Sequence, residues 1–233
     1  MSAVVLFMAG VALIAGWWLS QQRLASKPWL EEGVIGDLPG GSAPLPAAKI
    51  GLGVFLAVVG SLFALLISAY GMRMDLIDWR QLPIPKLLWF NTGVLILSSI
   101  ALHWALVSVR RGADDTTLLG LIAAEITAIV FLVGQILVSW QLVNAGYFLA
   151  SNPANAFFYL ITAIHGLHIL GGLFVLSRVL VRAWRSGATP QLRLSIELCA
   201  MYWHFLLLVW LILLGLLTGW TAGFLAICRQ LLN

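Results

Sequence analysis

The side chains with chemistry to offer are few. There are four histidines, His103, His165, His168 and His204. His165 and His168 stand three residues apart, which on a helix puts both on nearly one face. Imidazoles so placed could ligate haem iron or copper, or could hydrogen-bond between helices. A metal site usually needs three or four ligands and further groups that orient them. His103 lies near the end of its apolar stretch, and His204 has no second histidine one or two turns away. The spacing therefore favours hydrogen bonding over metal or haem binding. Two acids, Glu125 and Glu197, fall inside apolar stretches. A carboxylate within a bilayer is costly, so it either marks a site such as a proton relay or holds a structural bond to a neighbouring helix. Small and hydroxyl residues recur at Asn91-Thr92, Ser98-Ser99, Thr162, Gly166 and Gly171-Gly172. They read as packing positions where helices approach closely. No nucleotide loop, zinc motif or Ser/His/Asp pattern is present. Cys199 and Cys228 are 29 residues apart, about 43 Å along one helix and beyond disulfide reach.

The elements that must position these groups follow from composition. Of 233 residues, 61% are hydrophobic and 9% charged, against roughly 45–50% and about 25% in soluble domains. That excludes a soluble enzyme, which would expose large apolar patches, and excludes disorder, which needs low hydrophobicity. Six continuous apolar stretches run over 3–19, 50–70, 87–109, 118–142, 156–181 and 194–220. Barrel strands would instead alternate over about ten residues. The fold class is all-α: a polytopic membrane bundle of six transmembrane helices, one leading helix at 1–19 and a five-helix core at 49–233. No repeat or inverted duplication is visible. The leading stretch has no basic residue before it and ends in Trp17-Trp18-Leu19, so it reads as an uncleaved span with an interfacial anchor. The segment 20–48 contains Leu38-Pro39-Gly40-Gly41-Ser42 and reads as a flexible cytoplasmic linker.

Charge sets the orientation. Arg23, Lys27, Lys49, Arg110, Arg111, Arg178, Arg182, Arg185 and Arg193 flank alternate loops, nine of the 13 basic residues. The positive-inside rule places those loops in the cytoplasm and both termini on the outer side of a bacterial-type inner membrane. The net charge of +4 is loop charge of this kind, and no nucleic-acid partner is expected.

Several ordered segments resemble subunit III of the heme–copper respiratory oxidases. The most specific is Phe157-Phe158-Tyr159, Thr162, His165-Gly166-Leu167-His168 and Gly171-Gly172. Glu197 followed by Tyr202-Trp203-His204-Phe205 and Val209-Trp210 is the second. The third is Pro83 to Leu88, then Asn91-Thr92 and Ser98-Ser99. Weaker matches are Ala69-Tyr70 with Arg73, and Phe131 with Gln135 and Trp140. Together they cover about 49–220. The resemblance implies a non-catalytic subunit with no haem or copper of its own. It would pack beside subunit I, which carries the redox centres, and through it reach subunit II. It would support the lifetime of subunit I, assist proton uptake and bind membrane lipids, while the complex reduces O2 to water, pumps protons and draws electrons from cytochrome c or quinol. By the same resemblance His165, His168, Glu197, Tyr202, Trp203, His204, Asn91, Thr92 and Arg73 are structural polar residues. Other readings of the chain are a subunit-III-like protein of nitric-oxide reductase, and a small proton-coupled transporter using Glu125 and the histidines. The sequence departs from the family where an acid often follows the Phe-Leu-Ala run: here Val58-Val59-Gly60 follow Phe55-Leu56-Ala57.

Glu125 is the one acid deep in a core stretch, about 10 Å from its edge by helix rise. Counted across a 30 Å core, His168 falls about 12 Å from the same edge and His165 one turn further in. Glu125 is therefore expected to bond to one of these histidines, or to a hydroxyl of their helix such as Thr162.

Overall fold

A computed structural model describes residues 47–74, 76–186 and 189–219. The leading stretch 3–19 and nearly all of the linker 20–48 lie outside the described residues. Those described are helical: α1 (Ala47–Met74), α2 (Lys86–Arg110), α3 (Asp114–Asn144), α4 (Pro153–Ser186) and α5 (Pro190–Leu217), with no strand among them. Among the described residues, five helices are long and apolar enough to cross a membrane. That suits a bilayer, because a helix satisfies its own backbone groups where no water is available.

Each expected core stretch is found, and four of the five helices run past it at both ends. Lys86, Arg110, Asp114, Asp115 and Arg185 all lie in terminal helical turns. Hydropathy marks only the part of a helix in hydrocarbon, whereas the backbone ladder continues into the interface until a cap stops it. Asp114 and Asp115 sit favourably at the positive end of α3. α5 starts on Thr189, whose side chain accepts from the Leu192 amide, with Pro190 in the first turn. Its end is earlier than expected, at Leu217 with Thr218 as cap. Gly112, at φ +72°, closes the α2–α3 turn in a conformation that other residues rarely take.

From Gly51 onward the helices pack as one unit; only the first turn of α1 among the described residues precedes it. α2, α3, α4 and α5 close a ring, each against the next and α5 back on α2. α1 lies against α4 and α5, where Val59, Phe63 and Tyr70 meet Ile161, Val209 and Leu213. Those three are its buried residues, whereas α2 buries twelve. Within the ring, one apolar layer holds Leu102, Leu121, Leu176 and Trp203, nearer the Arg110 end. The other holds Leu88, Phe131, Phe158 and Trp210. Lipid removes the hydrophobic drive for helices to associate, so close approach and interhelical hydrogen bonds must hold such a ring. The close approaches are made by glycine. A Cβ on Gly120 would stand 2.9 Å from that of Ala105, and one on Gly172 2.6 Å from the Tyr202 ring. Gly166 is not such a point, since a Cβ there would meet only Leu132, at an ordinary 3.8 Å.

Candidate functional site

The polar residues picked out in the sequence form a chain of interhelical bonds through the ring. Trp203 Nε1 donates to Ser98 Oγ at 2.9 Å, and Ser98 Oγ donates to the Ala124 carbonyl at 2.9 Å. One hydroxyl thus ties α5, α2 and α3. Two turns along, Trp210 Nε1 donates to Thr92 Oγ1 at 3.0 Å, and Thr92 donates to the Leu88 carbonyl at 2.9 Å. Asn91 Nδ2 donates to the Phe131 carbonyl at 3.0 Å, beside Gly134, whose missing side chain leaves space for the Asn91 amide. Indole N–H groups need a partner when buried, and helix carbonyls have a spare lone pair. Hydroxyl relays on α2 serve both needs.

His165 is wholly buried. Its Nε2 meets the Leu206 carbonyl at 3.1 Å. A carbonyl only accepts, so Nε2 carries the hydrogen. The other nitrogen, Nδ1, is buried without a hydrogen-bond partner. Phe63, Phe131 and Trp210 surround the ring, with centroids at 6.2, 5.8 and 4.9 Å. His168 Nδ1 donates to the Ile164 carbonyl of its own helix at 2.8 Å, and its backbone oxygen accepts from Tyr202 OH at 2.8 Å. The two histidines share a face, but only the His165 imidazole bonds across helices; the His168 ring packs on Phe63 of α1 with centroids 5.5 Å apart. Among the described residues no three His, Cys, Asp or Glu side chains stand close enough to share a metal ion.

The other candidates lie apart from this core. His204 Nδ1 meets Ser99 Oγ at 2.6 Å, and its ring lies 5.6 Å from that of His103. Both histidines line a groove of about 440 Å³ on α2 and α5, with Trp104 and Arg111. Glu197 pairs with Arg110 across the same helices at 3.7 Å, in a partly exposed position where such a pair contributes little. Half-buried Arg73 pairs with exposed Asp78 at 2.5 Å where the chain leaves α1.

Glu125 bonds to a hydroxyl of α4, but that of Ser177, not Thr162 or a histidine. Thr162 gives its hydrogen to the Phe158 carbonyl at 2.7 Å instead. The misplacement comes from measuring depth between hydropathy edges in a fixed 30 Å core. α4 has 34 residues, about 51 Å, so its apolar edge is a poor ruler. Counted from the helix ends, Glu125 is 11 residues into α3 and Ser177 nine residues before the end of α4. Those are about 16 and 14 Å along the axes, nearly level. That count was the available signal, and it needed helix ends that hydropathy does not mark.

The family model for cytochrome c oxidase subunit III matches residues 54–222. The chain belongs to the cytochrome c oxidase subunit III family. A cytochrome c oxidase subunit 3 of Thermostichus vulcanus is 32% identical over 181 residues, covering 72% of this chain and 85% of the relative. That of Drosophila yakuba is 29% identical over 147 residues, 63% of this chain and 54% of the relative. That of Chondrus crispus is 30% identical over 132 residues, 57% and 47%. The match thus spans about half the length of the animal and algal proteins. With five apolar helices among the described residues, this family member is a multi-pass integral membrane protein. The matched segment contains the whole polar chain from Asn91 to Trp210, so the bonds above belong to the part of the molecule that carries the family pattern.

Proposed function

We propose that this chain is the non-catalytic subunit III of a proton-pumping terminal oxidase, embedded beside subunit I in an energy-coupling membrane. The observation that carries the reading is the subunit III match over 54–222, within which His165, Tyr202, Trp203 and Trp210 bond from one helix to another. Asn91, Ser98, His165, Trp203 and Trp210 each tie one helix to another, while the buried Gln135 amide has no hydrogen-bond partner. This supports a scaffold that steadies a neighbour over one that turns over a substrate. In this reading haem and copper belong to the partner subunits, subunit II is reached through subunit I, and lipids fill the remaining membrane face. Both termini lie on the outer side, as the basic loops suggest. The transporter and nitric-oxide reductase readings have no such support.

The test is deletion of the chain from cells that make the oxidase. The remaining complex should keep its initial rate of O2 reduction and lose activity progressively during sustained turnover. A complex whose activity decays no faster than that of the intact enzyme would refute the role. Absence of any initial activity in a normally assembled, haem-loaded complex would refute the non-catalytic assignment.

A further inference from the structure

We propose that the outward face of α2 and α5 that carries His103 and His204 seats a transmembrane helix of the haem-bearing partner subunit. That helix would present hydrogen-bonding side chains at the depth of the two imidazoles, and an acid or a carbonyl oxygen near Arg111. The identity of the partner rests on the subunit III reading above. The other outward faces make the contrast. On α3 the exposed residues from Leu119 to Trp140 are all aliphatic or aromatic. On α4 those from Leu160 to Val175 are aliphatic, aromatic or glycine. On α1, from Gly51 to Met72, the same holds except for Ser61, whose hydroxyl donates to the Ala57 carbonyl of its own helix at 2.9 Å. Those three faces suit hydrocarbon.

The face of α2 and α5 does not. His103 and His204 are both exposed on it, each seven residues in from a member of the Arg110–Glu197 pair, about 10 Å by helix rise. Ionisable side chains inside spans almost always face protein or a water-filled cavity; these two face outward. A neutral imidazole has one N–H to give and one nitrogen that accepts. His204 uses Nδ1 on Ser99, and the two rings lie 5.6 Å apart. Among the described residues, His204 Nε2 and both ring nitrogens of His103 have no hydrogen-bond partner.

Hydrocarbon tails offer neither donor nor acceptor, so a lipid covering leaves those three nitrogens bare, each at a cost. Arg111 lines the same groove and has no ion pair among the described residues. A lipid phosphate could serve Arg111, but not imidazoles about 12 Å further along the helix. A second copy of this chain could bring imidazoles of its own, but across a two-fold axis it would also set Arg111 against Arg111. A helix of different sequence meets both demands at once. The groove gives it apolar walls in Ile100, Trp104 and Leu207, and the polar positions set its register.

Photo-cross-linking of the intact complex in its membrane tests this. Benzoylphenylalanine introduced at Ile100, an exposed position on the groove wall, should form an adduct with the haem-bearing subunit. Adducts with lipid only, or with a second copy of this chain, would overturn the proposal. His103→Leu with His204→Leu should weaken retention of the haem-bearing subunit on a tagged chain about fivefold or more. His103→Gln with His204→Gln should keep it, since an amide still donates and accepts. Unchanged retention in the leucine pair would also overturn the proposal. Should that pair fail to accumulate, the Ile100 adduct decides alone. If the unsubstituted chain holds no haem-bearing subunit, the subunit III reading falls and this inference with it; if it holds one that Ile100 does not reach, only this inference falls.

Discussion

Two adjacent glycines on α4 make opposite demands, and substituting each by alanine separates packing from helix propensity. At Gly171 an added Cβ would find nothing within 4 Å. At Gly172 it would lie 2.6 Å from Tyr202 Cε1 and 2.8 Å from Trp203 Cζ3. Those rings are not flexible ends that can swing away. Tyr202 is held by its hydroxyl on the His168 carbonyl, and Trp203 by its indole on Ser98. Both substitutions gain about the same helix propensity, roughly 0.5–1 kcal/mol, which cancels when the two are compared. What remains is overpacking at Gly172, about 1–3 kcal/mol. If the Trp203–Ser98 bond also breaks, the loss grows by about 1 kcal/mol. The two variants should therefore differ by about 1–3 kcal/mol, roughly 5- to 150-fold in unfolding equilibrium, with Gly171→Ala at or above the parent. An SDS titration of the full-length chain in mixed micelles, followed by circular dichroism, measures this. Equal midpoints, or Gly172→Ala as stable as the parent, would refute the claim that helices α4 and α5 meet at this glycine.

Three further outcomes are expected. A double-mutant cycle between Ser98→Ala and Trp203→Phe should give a coupling of about 1 kcal/mol; additive effects would mean that the bond tying α2 to α5 contributes nothing. His165→Ala should cost about 2–5 kcal/mol, the range for emptying a packed core site, because three aromatic rings close on the imidazole; an unchanged midpoint in the same titration would contradict that enclosure. A reporter active only in the cytoplasm, fused after Asn233, should stay silent if the basic loops face inward; a strong signal would reverse the orientation.

Most of the fold could be read before any coordinates, because a bilayer leaves the backbone one solution and hydropathy marks where that solution is imposed. The ends of the helices could not. Asp114-Asp115 and Arg182 to Arg185 are polar turns of helix, invisible to an apolar window. That blind spot passes into the site: hydropathy edges put Glu125 level with His168, whereas the longer α4 puts it level with Ser177. The packing role of Asn91, Thr92 and Ser98 was legible from residue type, since small hydroxyl and amide groups inside a membrane have few other uses. Their partners were not. Trp203 meets Ser98 and Trp210 meets Thr92, pairings set by how α5 returns against α2, which no spacing along one helix contains. The approach of His103 to His204 was hidden for the same reason.

The most direct test of the central claim is purification through an affinity tag on this chain from detergent-solubilised membranes, followed by a visible spectrum and an oxygen-uptake assay of what is recovered. The expected result is a haem- and copper-bearing oxidase subunit in stoichiometric amount, with O2 uptake by the eluate and haem bands that stay with that partner when the two are separated. Recovery of the chain alone, or with haem that stays on this chain after separation, would contradict it.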